Sequence, residues 1–126
     1  MKVKHKSINF NVDTYDDISN IVDMDVNDVC IVAEENRGGT FIYRGTGVDN
    51  GGTIINGWHR QYEGAVNVKW FGFSNTNSTQ YFEEALAISD NIISDKGTYV
   101  LDNLVVGANK TIDFSDSNII ALSDYA

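Results

Sequence analysis

Four side chains come closest to a known reactive pattern. Asp23, Asp25, Asn27 and Glu34 stand at positions 1, 3, 5 and 12 of a calcium-binding EF-hand loop, whose oxygen ligands surround a hard cation. The sharp turn of that loop takes glycine at position 6, where this chain has Asp28, and the following VCIVA has the apolar character of a strand. An acidic turn before a strand therefore fits better than a metal loop. Glycoside hydrolysis needs two carboxyl groups facing each other across roughly 5 to 10 Å. Glu34 and Glu35 are neighbours in an extended run and point to opposite faces; Glu83 and Glu84 lie about a hundred degrees apart around a helix. Neither pair has the geometry of an acid and its base.

The remaining chemistry is sparse. His5 and His59 are too few and too far apart to argue for a metal, and no G-x-S-x-G turn presents a serine nucleophile. Gly38-Gly39 and Gly51-Gly52 read as turn glycines, because no phosphate-cradling pattern leads from them into a helix. Cys30, the single cysteine, sits in an apolar run and is expected to be a buried small hydrophobe. The sequons at Asn77 and Asn109 carry little weight without a secretion signal. No catalytic residue, metal or cofactor is expected in this chain.

The elements that must position any site are short. Ile8, Phe10 and Val12 alternate with asparagines as one face of a strand, and Thr14 with Asp17 forms a capping pattern for a short helix in TYDDISNI. DVCIVAEEN, TFIYRG and TIIN follow as strands punctuated by glycine and asparagine. One amphipathic helix is expected from Ser78, with Asn77 as its N-cap, Gln80 three residues on, and Phe82, Ala85, Leu86, Ser89, Ile92 and Ile93 recurring on one face. Strands return in TYVLDNLVVG, KTIDF and NIIAL with only turns between them, the way a solenoid coil begins. Ile119, Ile120 and Leu122 lie close to Ala126 and would leave an apolar edge uncovered, so a longer parent chain is expected.

Composition narrows the function classes. The 126 residues carry a net charge of -9, which argues against nucleic acid, since phosphate binding needs a basic face. Hydrophobic residues make up 42%, enough for a packed core. MKVKHKSINF has no apolar stretch behind its basic residues and no long apolar run exists elsewhere, so neither a signal peptide nor a membrane span is expected.

Residues 57–73, GWHRQYEGAVNVKWFGF, hold both tryptophans. Read as strands, they place Trp58, Arg60 and Tyr62 on one face, then Val66, Val68 and Trp70 on one face with Asn67, Lys69 and Phe71 on the other. Such a stripe is expected to be core rather than a platform for sugars, because buried aromatic area dominates small cores. A carbohydrate-binding module using Trp58, Trp70 and Tyr62 is the alternative reading.

The run Arg60 to Gly72, RQYEGAVNVKWFG, resembles a segment of bacteriophage tailspikes and capsule depolymerases of the pectate-lyase-like family. There it lies just ahead of a right-handed parallel β-helix. TYDDISNI, GGTFIYRG and DNGGTIINGWHRQY look like the small β-rich domain that precedes that helix, and GTYVLDNLVVGANKTIDFSDSNII looks like its first coils. The family's Gly-Asp loop after WFG is replaced here by FSNTNSTQYFEE, so no role of that loop is carried over.

The resemblance implies a mainly β chain with one helix: a small β-rich, virion-proximal domain over 1–72, then a capping helix and the start of a parallel β-helix over 73–126. It implies a structural joint made by Trp58, Arg60, Tyr62, Val66, Val68, Trp70, Phe71 and Gly72, and a capping helix built on Asn77, Phe82, Leu86 and Ile92. It further implies a homotrimer on the phage tail, synthesised in the bacterial cytoplasm, with tail or baseplate proteins as partners. Host surface polysaccharide would be bound, and commonly cleaved, by a downstream β-helix acting in receptor binding and host-cell adhesion. Neither nucleic acid nor membrane is an expected partner. An active depolymerase within these residues is the enzymatic alternative.

Overall fold

The computed structural model describes residues 9–115 and 117–121; His5, Ile8 and Leu122 lie outside them. The chain is mainly β with one α-helix, and it divides between Gln61 and Tyr62 into two compact units. Val66, Val68, Trp70, Phe71 and Gly72 thus belong with the second unit, and Trp58 and Arg60 with the first.

In the first unit, strands β1 (Asn9–Val12), β2 (Val29–Val32), β3 (Gly39–Tyr43), β4 (Ile54–Ile55) and β5 (Trp58–Arg60) form one sheet in the order β1-β2-β3-β5-β4. The first pair is parallel, which requires a crossover, and the 3-10 helix Asp16–Asn20 supplies it. Its start is tied by two reciprocal bonds: the Thr14 amide donates to Asp17 and the Asp17 amide to Thr14, both at 3.2 Å. Tyr15, Ile18 and Ile21 from this crossover bury against Cys30, Val32, Phe41, Ile55 and Trp58. Alternation along each strand puts these residues on one side of the sheet, and pairing brings Cys30 opposite Phe41 and Trp58 opposite Tyr43.

In the second unit, β6 (Val66–Asn67), α1 (Thr79–Ile88) and β7 (Asn91–Ile93) make a parallel crossover through a helix. β9 (Thr111–Asp113) pairs parallel to the far side of β7, and β8 (Gly97–Leu101) pairs parallel to β10 (Ser117–Ala121). The β7–β9 and β8–β10 pairs advance in step, whereas Val66 faces Ile92, because α1 lies between β6 and β7. Asn91 faces Thr111 and Gly97 faces Ser117, a shift of twenty residues in each case. The turns are tied to one another as well: the Ser94 amide donates to the Asp113 carbonyl at 3.0 Å, and the Ser94 and Ser117 hydroxyls lie 2.5 Å apart.

Helix α1 closes over this interior. Phe82, Ala85 and Leu86 follow one another at helical spacing and are buried with Val66, Val68, Phe71, Ile92, Tyr99 and Leu101. The Phe82 ring stands edge-on to Tyr99 at 5.4 Å and tilts against Phe114 at 5.8 Å. The chain ahead of the helix is pinned where the Ser78 amide donates to the Val100 carbonyl at 2.7 Å. At the other end the Lys110 ammonium donates to the Leu86 carbonyl at 2.8 Å, satisfying one of the orphan acceptors of the last turn.

Several local expectations are corrected. Ile92 is not on the helix: Ser89 turns to φ -141 and ψ 147, its hydroxyl is tied to the Asn91 backbone, and Asn91–Ile93 become the central strand of the three-stranded sheet. Asn77 does not form a capping box with Gln80. Its side-chain oxygen Oδ1 accepts from the Thr79 amide at 3.0 Å, whereas Gln80 donates to Glu84 along the helix, and Ser78 is the N-cap residue. The strand expected over AVNVKWF stops at Asn67, whose side chain accepts the Lys69 amide and starts the 3-10 turn Val68–Trp70. That turn swings Phe71 into the core beside Val68, although strict alternation would have separated them. TYVLDNLVVG is a strand only as far as Leu101, and Val105 and Val106 are exposed.

Burial sets an alkaline limit on the fold. It pushes the Cys30 thiol up from near 9 to about 11 and the Tyr15 phenol from near 10 to about 12; Tyr99 also rises to about 12, by burial and then by the charge of Asp95. All three folded-state values are raised, so their contribution is intact below the unfolded values and is lost as pH climbs through the folded ones. Denaturant titrations at increasing pH should show stability falling from about pH 9 to about pH 12, and in Cys30→Ala the fall should begin nearer pH 10. A flat profile over that range would contradict the burial of these groups. Phe82→Ala should cost about 3 to 5 kcal/mol in the second unit's unfolding, as for a large core aromatic removed without collapse of the cavity.

Candidate functional site

The stretch 57–73 is the densest feature of the sequence. β5 begins directly after the two-residue turn Asn56-Gly57, and its pairing with both β3 and β4 fixes which way Trp58, His59 and Arg60 point. Trp58 is wholly buried between Phe10, edge-on at 5.9 Å, and Tyr43 at 5.2 Å. A sugar can stack only on an exposed aromatic face. The expectation that Trp58 could serve a carbohydrate platform is therefore corrected. Its indole N–H has no hydrogen-bond partner among the described residues.

Arg60 is the other buried member of the strand, at 5% exposure. Its side chain reaches three backbone carbonyls: Nε donates to Gly52 at 2.8 Å, Nη1 to Gly38 at 2.6 Å and Nη2 to Arg37 at 2.9 Å. The guanidinium plane also lies over the Phe41 ring at 4.6 Å. One planar fork thus joins the β2–β3 turn to the loop that leads into β4. The rigid, five-donor geometry of arginine suits this, since three acceptors in different directions must be met at once. His59, on the opposite face of the strand, lies 2.7 Å from the Thr46 carbonyl through Nε2.

The second half of the stretch serves the other unit. Val66, Val68 and Phe71 are buried in its core, Trp70 is half-buried, and Tyr62 is 42% exposed. Tyr62 and Trp70 form a tilted ring pair at 5.0 Å. Gly72 has φ +143, and a Cβ there would come within 2.5 Å of the Tyr81 ring, so the close approach of helix and chain depends on glycine. Asn77, Phe82 and Leu86 are placed on or just before α1, and Ile92 on β7.

Among the described residues, no cluster of three or more His, Cys, Asp or Glu side chains could hold a metal. Glu34 accepts the Tyr15 amide at 3.0 Å, and Asn27 accepts from Arg44 at 2.8 Å, so two of the four calcium-loop matches hold the first unit together. β2 begins at Val29, within the span such a loop would need. Glu83 and Glu84 line an open depression of about 670 Å³ together with Asn77, Thr79, Gln80 and Asp102. No helix of the described residues is long and apolar enough to cross a membrane.

Sequence reasoning missed two residues that organise the first unit. Asp28 is completely buried and accepts the Asp25 amide at 2.8 Å. Asn50 accepts the amides of Gly52, Thr53 and Ile54 at 3.0, 2.8 and 3.1 Å and donates to the Thr53 hydroxyl at 2.7 Å. The available signal was the Asn-Gly-Gly-Thr order, in which a short side chain can fold back onto the amides that follow.

No family model matches the chain, and no curated protein matches it significantly. Around Arg60 the arrangement is that of a brace, with one guanidinium holding backbone carbonyls of two loops. Arg60→Met should lower stability by about 2 to 4 kcal/mol, because three carbonyl acceptors lose a charged donor at once. Arg60→Lys should recover only part of that loss, since a point ammonium cannot span the fork. Equal stability of the lysine variant and the parent would remove the geometric argument.

Proposed function

We propose that this chain is the N-terminal structural part of a trimeric phage tailspike. On this reading it holds and caps a polysaccharide-recognising parallel β-helix and helps attach it to the virion tail. The observation that carries the reading is the shared twenty-residue shift of two parallel sheets, covered by an apolar helix face. An equal advance from β7 to β9 and from β8 to β10 is what one turn of a parallel coil produces, and its apolar interior must be covered where the coil begins. That geometry supports the resemblance of RQYEGAVNVKWFG and its flanks to the head and first coils of tailspikes.

The role proposed for these residues is mechanical. Arg60 and Trp58 stiffen the β-rich unit ahead of the coil, Val66 and Val68 start the coil, and Phe82 and Leu86 keep water from its first layer. Recognition and cleavage of host polysaccharide belong, on this reading, to coils further along, with the tail or baseplate as the partner of the β-rich unit.

Antibodies raised against the chain should decorate the tail of virions of the encoding phage, and unlabelled tails would overturn the assignment. Light scattering on a sizing column should return roughly three times the 14.0 kDa chain mass if the trimer contact lies within these residues. The chain alone should leave the viscosity of capsular polysaccharide unchanged. A fall in viscosity abolished by changing one carboxylate would favour the enzymatic alternative.

A further inference from the structure

The loop between β3 and β5 contains two Asn-Gly pairs, Asn50-Gly51 and Asn56-Gly57, in sharply different surroundings. Asparagine before glycine can lose its amide spontaneously, because the glycine nitrogen meets little steric hindrance when it attacks the side-chain carbonyl carbon. The Asn50 carboxamide is fully engaged: its oxygen accepts three amides of residues 52–54, and its nitrogen donates to Thr53. Attack by the Gly51 nitrogen requires those bonds to open first. Asn56 stands instead at the tip of a hairpin, with its side chain exposed. Its φ of 48 and the φ of 81 at Gly57 are those of a two-residue type I′ turn, whose central residues lie outside the ladder between β4 and β5.

We propose that Asn56 is a site of spontaneous deamidation in the folded protein and that Asn50 is protected. The Gly57 backbone nitrogen forms a bond to the Asn56 side-chain carbonyl carbon and loses its proton, while the amide nitrogen departs as ammonia. Water then opens the resulting succinimide at either carbonyl, leaving aspartate or isoaspartate at 56. Nothing is oxidised or reduced. Both products place a new carboxylate beside Asp49, whose own carboxylate accepts the residue 56 amide at 2.8 Å. Isoaspartate also adds a methylene to the backbone of a turn that has room for only two residues, so the pairing that sets Trp58 and Arg60 is the first to be disturbed.

The test is prolonged incubation of the folded chain in mildly alkaline buffer, followed by peptide mass spectrometry and enzymatic labelling of isoaspartate. A parallel sample is kept unfolded in denaturant. Unfolded chain should be modified at both pairs at similar rates, whereas folded chain should be modified at Asn56, with Asn50 slower by on the order of tenfold or more, since it reacts only through local opening. Asn56→Ser should abolish the folded-state product without changing the rate at Asn50 in denaturant. Equal rates at the two sites in folded protein, or modification at Asn50 alone, would overturn the assignment. So would a folded chain inert at Asn56 under conditions where the unfolded chain reacts.

Discussion

Phe82 is fully buried in the core of the second unit. Its ring meets Tyr99 from β8 and Phe114 from the turn after β9, and its helix neighbours Ala85 and Leu86 pack in the same cluster as Val66 and Ile92. The strands of the second unit share one apolar interior, and the apolar face of helix α1 packs against it. Hydrogen bonds at the two helix ends, from Ser78 to Val100 and from Lys110 to Leu86, tie the helix to its surroundings. The short sheets depend on this lid, because strands of two to five residues have little stability of their own without a buried face.

The first unit solves a different problem. Its sheet mixes one parallel pair with antiparallel neighbours, and long loops have to be held down with few hydrophobic residues to spare. Polar side chains do this from below. Arg60, Asn50 and Asp28 each hydrogen-bond to backbone groups and so make turns behave as fixed parts. Described cations are used in the same way. Arg37 donates to the Gly51 carbonyl while lying 4.0 Å over the Tyr15 ring, and Lys69 donates to the Lys96 carbonyl. Four of the nine Lys and Arg, namely Arg37, Arg60, Lys69 and Lys110, thus donate to backbone carbonyls of the chain itself.

Much of this was legible in the residues. Period-two alternation located β1, the apolar run VCIVA located β2, the glycine pair before TFIYRG located β3, and the Thr14–Asp17 spacing located the crossover turn, because these signals are local and independent of distant contacts. The helix was visible from Phe82, Ala85 and Leu86, but its end was not. Ile92 and Ile93 continue the apolar spacing past Ser89, and only pairing with β6 and β9 makes them a strand. Similarly, Val66, Val68 and Trp70 alternate as a strand would, while the Asn67 side chain turns the chain into a 3-10 bend after Asn67.

What the sequence determined by itself was composition and local preference: an acidic chain, mainly β, with one amphipathic helix and a cluster of aromatics between Gly57 and Phe73. Tertiary structure decided how that cluster was divided, with Trp58 and Arg60 committed to one core and Val66, Val68 and Phe71 to another. It also decided the twenty-residue register, because parallel pairing joins residues far apart in the chain and no periodicity along the chain records which strand lies beside which. The burial of an arginine on three carbonyls was hidden for the same reason: its acceptors are backbone atoms of loops 8 to 23 residues away, and any sequence offers those.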